Sequence, residues 1–512
     1  MNLSTSTMSA IRFGTGIRPG EEPARGAAGL MAELKAGMSD VPLFPVGGID
    51  ARRAWIADML GRLREARELK KDGDGPAAKR LQRKNRRAIR HALQEDRHAR
   101  FEQAIVSPNG FHERLAFFWT DHFSVNAAKG SFGRLTAPLF EAEAIRPHMS
   151  GAFKSLLKAA VLHPAMLHYL DQRRSIGPNA PAGTGRKKGL NENLGRELLE
   201  LHTLGVNGGY SQADVRAAAL VLTGMRIDRD TGEAIFQRRF AEPGPISLLG
   251  LPFGSESRAR EDVEDMLDAL AGMERTARHI TTKLVVHFIS DTPPPGIVDA
   301  MVNAWMEHDG DLTSVYQAML DHPAAWDNPG EKARQPFDFI VAGLRAIHAP
   351  RDALAMPAPS AEDAAEAAAM EAEDAADDDG NDMTPMDENT VAMTDGKPKA
   401  ADKPGKPRRK EAGNPLTVRA AAEMGQPVWE PPSPAGWDEE FDVWITSSQL
   451  AVRIGWARQA ANRFGTGVDP RELIKIVLAD AARDDTIDVV RQAASRAAGT
   501  SFILASPEFN RR

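Results

Sequence analysis

The stretch that decides the reading is Asn191–Val215, NENLGRELLELHTLGVNGGYSQADV. At 100° per residue, Leu194, Leu198 and Leu201 fall on one side of a helix, and Glu192, Arg196, Glu200 and Thr203 on the other. Asn191 is a good N-cap. Gly205, Gly208 and Gly209 then break the helix, and Ser211 with Asp214 makes a capping-box-like start to the next one. A helix, a sharp connection and a second helix predict a mainly α architecture.

The same stretch carries the first candidate site. His202 falls on the apolar side, and Glu197 lies at the edge of the leucine stripe. Arg196 is one turn from both Glu192 and Glu200, so an ion-pair ladder is expected. Two readings follow. In the functional one, His202 and Glu197 form a general acid/base set oriented by Arg196. In the structural one, Arg196 clamps two carboxylates and His202 caps backbone carbonyls near the helix C-terminus. A second histidine, His122, shares a helical face with Phe111, Leu115, Phe118 and Trp119. Such a histidine is more often a satisfied core residue than a ligand. Its ring nitrogens still need partners, which Glu197 or Asn193 could supply, so His122 is expected beside the helix 191–202.

Working outward, residues 1–49 are rich in Gly and Pro and read as an extended arm with a short helix around 29–36. Residues 50–350 read as a main helical body, with a hairpin near 225–240 turning at Asp230-Thr231-Gly232. Residues 351–413 hold 16 acids and 8 bases with almost no large apolar side chain, which predicts a disordered charged linker. Residues 414–512 resume helical patterning and are expected to pack on the main body. Trp429, Trp437 and Trp444 flank a Pro-rich loop and read as a plug in that seam, with a pocket lining as the alternative. The fold expected is a large multi-helix body with one small β hairpin and a disordered acidic linker before the C-terminal helices.

Composition narrows the chemistry. With no cysteine in 512 residues, disulfides, thiolate nucleophiles and Cys-ligated metals are excluded. No phosphate loop, His-Glu-x-x-His or Gly-x-Ser-x-Gly motif occurs. His163 and His168 are poorly spaced to share a metal, although a site built from several helices stays open. The sequence names no cofactor. The net charge of −7 belongs to the linker, and the rest sums to about +1, so no nucleic-acid partner is expected. The run Lys79–Arg90 holds seven bases without stacking aromatics. It reads as a solvated face, with the acidic half of the linker lying over it as a specific alternative. No secretory signal or membrane span is evident, and a cytoplasmic location is expected.

Several long blocks carry a resemblance: RLAFFWTDHFSVN (Arg114–Asn126), HPAMLHYLDQ (His163–Gln172), LNENLGRELLELHTLGVNGGYSQADV (Leu190–Val215) and TKLVVHFISDTPPP (Thr282–Pro295). MGQPVWEPPSPAGW (Met424–Trp437) and LASPEFNRR (Leu504–Arg512) add to it. In that order they resemble the bacterial family known as domain of unknown function 1800. The resemblance implies a mainly helical bacterial protein and no agreed activity. It also implies a protein partner, since genes of a sulfatase-like family often sit beside members. Members usually carry a His-Asp-x-Gly-x-Lys pattern after the hairpin, where this chain has Ala241-Glu242-Pro243-Gly244-Pro245-Ile246. A chemistry resting on that His and Lys is not expected here.

Two functions stand open at this point. One is a non-enzymatic scaffold or accessory protein acting with a partner. The other is a hydrolase-like or metal-assisted enzyme with His122, Arg196, Glu197 and His202 in a cleft between helices. Geometry separates them: the side chains either meet in an open pocket or are closed over by apolar residues.

Overall fold

The computed structural model describes residues 3–183, 189–357 and 413–512. Of the described residues 62% are helical, and their only strands form two two-stranded hairpins. The mainly α expectation holds.

Two long helices, Ile49–Lys71 and Gly75–Val106, pack against each other. Their separation follows from local chemistry. Asp74 accepts a hydrogen bond from the Ala77 amide at 3.0 Å, and Pro76 sits in the first turn, where its missing N–H costs nothing. Arg52 and Asp96 then lock the pair through a buried bidentate contact at 2.6 and 3.0 Å.

Two large hydrophobic cores form, beside two small clusters around Ile56 and Ile176. The larger gathers Phe13, the aromatic face of Gly110–His122, and leucines from Phe153–Val161, Asn193–Glu197 and Glu274–Phe288. The smaller joins Phe101, Ala104 and Ile105 to Phe337–Leu344 and to C-terminal residues that include Trp456, Leu473 and Ile503. The helix Gly75–Val106 serves both, because Leu93 and Ala99 belong to the first and Phe101 to the second.

Three expectations need correction. The arm 1–49 is not extended at its start: Thr5–Met8 and the π-helix Ser9–Phe13 run into the core, and Phe13 is fully buried against Phe288 and Trp326. Its apolar residues outweigh the Gly-rich composition around them. The first hairpin is short, with β1 (Met225–Ile227) paired antiparallel to β2 (Ala234–Phe236). A second hairpin pairs β3 (Ile246–Leu248) with β4 (Leu251–Phe253) and was not expected. Its turn is Leu249-Gly250, both at positive φ (52° and 82°). That geometry normally selects Asn-Gly or Asp-Gly, so a leucine there gives no sequence signal. Finally, the charged linker starts later than residue 351. Arg351–Leu354 is a 3-10 turn whose Leu354 is buried in the smaller core. The remainder of the expected disordered stretch, 358–412, lies outside the described residues.

No helix among the described residues is long and apolar enough to cross a membrane.

Candidate functional site

The decisive helix starts at Asn193, with Glu192 rather than Asn191 in the N-cap position. Asn191 accepts from the Asn193 amide at 2.9 Å, and Leu194, Leu198 and Leu199 are fully buried. Gly195 lets the backbone approach the helix Gln212–Leu222, since a Cβ there would stand 2.7 Å from the Ala219 amide nitrogen. Ser211 and Asp214 form the full capping box at the start of that partner helix.

From Leu198 to Thr203 the winding changes to a π-helix, with Leu204 N bonded to Leu199 O at 3.0 Å. An α-helical wheel misplaces residues beyond that point. Glu200 is carried away from Arg196, and no Arg196–Glu200 ion pair forms among the described residues. Arg196 instead meets Glu192 at 3.7 Å and donates to Gln212 Oε1 at 3.0 Å. Its side chain is 41% exposed, so the expected buried clamp is a surface network. Glu197 is only partly buried. Burial and the nearby Glu200 raise its pKa. Asn193 is exposed, and neither residue reaches His122.

The two histidines do meet. Their ring centroids are 5.9 Å apart, with His122 1% and His202 0% exposed. Phe118 stacks on the His122 ring at 6.1 Å, and Trp119 and Phe123 stand edge-on to it at 5.5 and 4.5 Å. Phe123 also lies 5.2 Å from the His202 ring. All four ring nitrogens lack a hydrogen-bond partner. The rings approach each other's backbone without reaching hydrogen-bond geometry. Burial pushes both pKa values down, with the Lys283 charge adding to the effect: His122 well below its ordinary value and His202 to about 3. Both are neutral at physiological pH. His202 caps no carbonyl.

Several charged neighbours were not anticipated. His279, Lys283 and His287 follow one another at four-residue spacing on the helix Glu274–Phe288 and so share a face. His279 lies 6.4 Å from His122 and is held by the Leu201 carbonyl at 2.9 Å. Lys283 is partly buried. Burial lowers its pKa, and Asp121 and Glu439 oppose the shift. Asp121, next to His122, accepts from the Trp437 amide at 2.9 Å. Burial first, and Glu439 second, push its pKa up to about 8. Glu439 is bound to His287 and Lys332, and with Arg114 these hold it below its usual range. The i, i+4, i+8 pattern His-Lys-His was the available sequence signal for the helix. Glu439 comes from an aperiodic Pro-rich loop and gives none.

That loop covers the site. Trp429 donates to Glu141 Oε2 at 2.8 Å and packs 5.4 Å from Phe44, and Trp444 is buried beside Trp437. These two plug the seam. Trp437 and Trp429 also line one crevice with Phe117, Asp121 and Phe337, together with Arg100 and Glu141, which pair at 2.7 Å. Neither His122 nor His202 lines this crevice.

No group of three or more His, Asp or Glu side chains among the described residues is arranged to hold a metal ion. His163 bonds Glu143 and His168 bonds the Lys129 carbonyl, so each has its own partner.

The order of these elements is matched end to end by a family model described as "Protein of unknown function (DUF1800)", over residues 10–511. The chain belongs to this family. No curated protein and no solved structure matches the chain. The DUF1800 match spans both cores, so the histidine pair and the loop that covers its charged neighbours fall inside the family region.

Proposed function

We propose that this DUF1800 chain is a non-enzymatic scaffold or accessory protein that acts through a protein partner. The observation that carries this reading is the enclosure of His122 and His202. A general base must reach its substrate within hydrogen-bond distance. These rings are packed against Phe118, Trp119 and Phe123, are almost wholly shielded from solvent, and do not line the crevice beside Trp437. Arg196 and Glu197 sit on a different, more exposed side of the helix, which does not assemble the acid/base set. The test is affinity capture of the tagged full chain from its native host with quantitative mass spectrometry. The sulfatase-like neighbour implied by the family resemblance is the first candidate. One protein enriched in stoichiometric amount supports the reading, and its absence under gentle lysis and chemical cross-linking counts against it.

A second reading has one specific observation behind it. Asp121 lines a crevice and is shifted upward while nearby Lys283 is shifted downward. Carboxyl and amine groups pushed towards neutrality are a hallmark of acid/base sites. A hydrolase-like enzyme would therefore work at Asp121 and Lys283 rather than at the histidine pair. Loss of a measured hydrolytic turnover in both Asp121→Asn and Lys283→Met, with the native fold retained by circular dichroism, would establish it.

A further inference from the structure

The helix Gly75–Val106 exposes a basic face. Arg80, Arg83, Lys84, Arg87 and His91 line one shallow depression, and Lys79 and Arg90 flank it in sequence. Seven bases fall between Lys79 and Arg90, and the first acid along the helix is Glu95. Holding so many like charges on one helix face is self-repulsive.

The opposite charge is available in the same chain. Residues 358–390 contain twelve acids and no base. Both ends of the chain around this segment are fixed on the basic helix itself. Before it, Arg351 pairs with Glu102. After it, the Asn414 amide donates to His98 Nε2 at 3.0 Å, and the Asn414 side chain donates to Ala353 O at 2.8 Å. The helix rises ~1.5 Å per residue, so Lys84 stands roughly 27 Å from Glu102. A tether of about 30 residues has a root-mean-square reach of roughly 30 Å. A flexible tether anchored at both ends in this way meets such a face at an effective concentration on the order of millimolar.

We propose that the face Lys79–His91 is the docking surface for the acidic stretch Glu362–Glu388 of the same chain. The contact is electrostatic, and it occupies a surface that otherwise attracts polyanions. Carbodiimide coupling of the full chain tests it, because this reagent joins a lysine amine directly to a carboxylate. At low salt, Lys79 and Lys84 should couple to acids between Glu362 and Glu388 within single chains. In 0.5 M salt the yield should fall by about tenfold, as expected when the Debye length shrinks to a few ångströms. Coupling of these lysines only to other acids, or only between chains, overturns the proposal. A second measurement uses a variant with the twelve acids changed to Asn and Gln. Inorganic polyphosphate should bind it at least about tenfold more tightly than the unaltered chain at low salt. Equal affinity also overturns it.

Discussion

Replacing His122 and His202 together by phenylalanine should remove a large part of the acid sensitivity of this fold. Both rings are neutral in the native state, because burial holds their pKa values down, His202 to about 3. In the unfolded chain each titrates near its ordinary value of ~6.5. A depressed native pKa means that the unfolded state binds more protons below pH 6.5. The stabilisation is thus fully present above that pH and is lost as pH falls. Between pH 7 and pH 5 the unfolded histidine gains roughly 1.4 kcal/mol per unit over about 1.5 units, close to 2 kcal/mol. The pair therefore accounts for about 4 kcal/mol. Urea unfolding followed by tryptophan fluorescence at both pH values gives the quantity. Other buried histidines contribute equally to both proteins, so only the difference matters. The unaltered chain should lose about 4 kcal/mol more than the double variant between pH 7 and pH 5. Equal losses would refute the claim that the two rings are held neutral by burial.

Asp121→Asn should behave in the opposite sense. Its native pKa is raised to about 8, so the acid form is favoured and stability falls as pH rises from about 4 towards 8. The variant should gain stability relative to the parent as pH goes from 5 to 9, read from melting curves, because the asparagine oxygen can keep the Trp437 amide bond. Arg196→Ala should cost less than about 1 kcal/mol, since its ion pair is on the surface and screened. A loss of 3 kcal/mol or more would restore the buried clamp. Gly205→Ala should destabilise by roughly 1–3 kcal/mol. Gly205 sits at φ +83°, and an added Cβ would come 2.7 Å from His279 Nδ1. A melting point equal to that of the parent would show that this turn is not strained.

Much of the fold was legible, and the reasons are physical. Period-3.6 patterning is a strong signal in long segments, so the helix from Asn191 and the one that restarts after Ser211 could be placed from sequence. The meeting of His122 with the helix 191–202 was also legible, because each put a polar ring on an apolar face. What failed was the site's internal arrangement. The π-turn at Leu198–Thr203 rotates Glu200 away from Arg196, and winding of that kind leaves no trace in an α-helical wheel. Lys283 lies in a block that carries the resemblance, and its spacing from His279 and His287 marks a polar stripe that the leucine and valine residues around it obscure. The contribution of Glu439 depends on a Pro-rich loop reaching across the fold, which no local pattern encodes. The short hairpin at Leu249-Gly250 lacked turn chemistry altogether.

Side-chain reactivity measures the enclosure of His122 and His202 directly. The native full chain would be treated with diethyl pyrocarbonate and the modification of each histidine followed by peptide mass spectrometry. His91 and His308 are exposed and should react quickly. His122 and His202 should react at least about a hundredfold more slowly, because the neutral nucleophilic nitrogens are shielded from solvent, as for buried groups that open only rarely. Modification of either ring at a rate close to that of His308 would mean that the pair is open to small molecules, and would contradict the account.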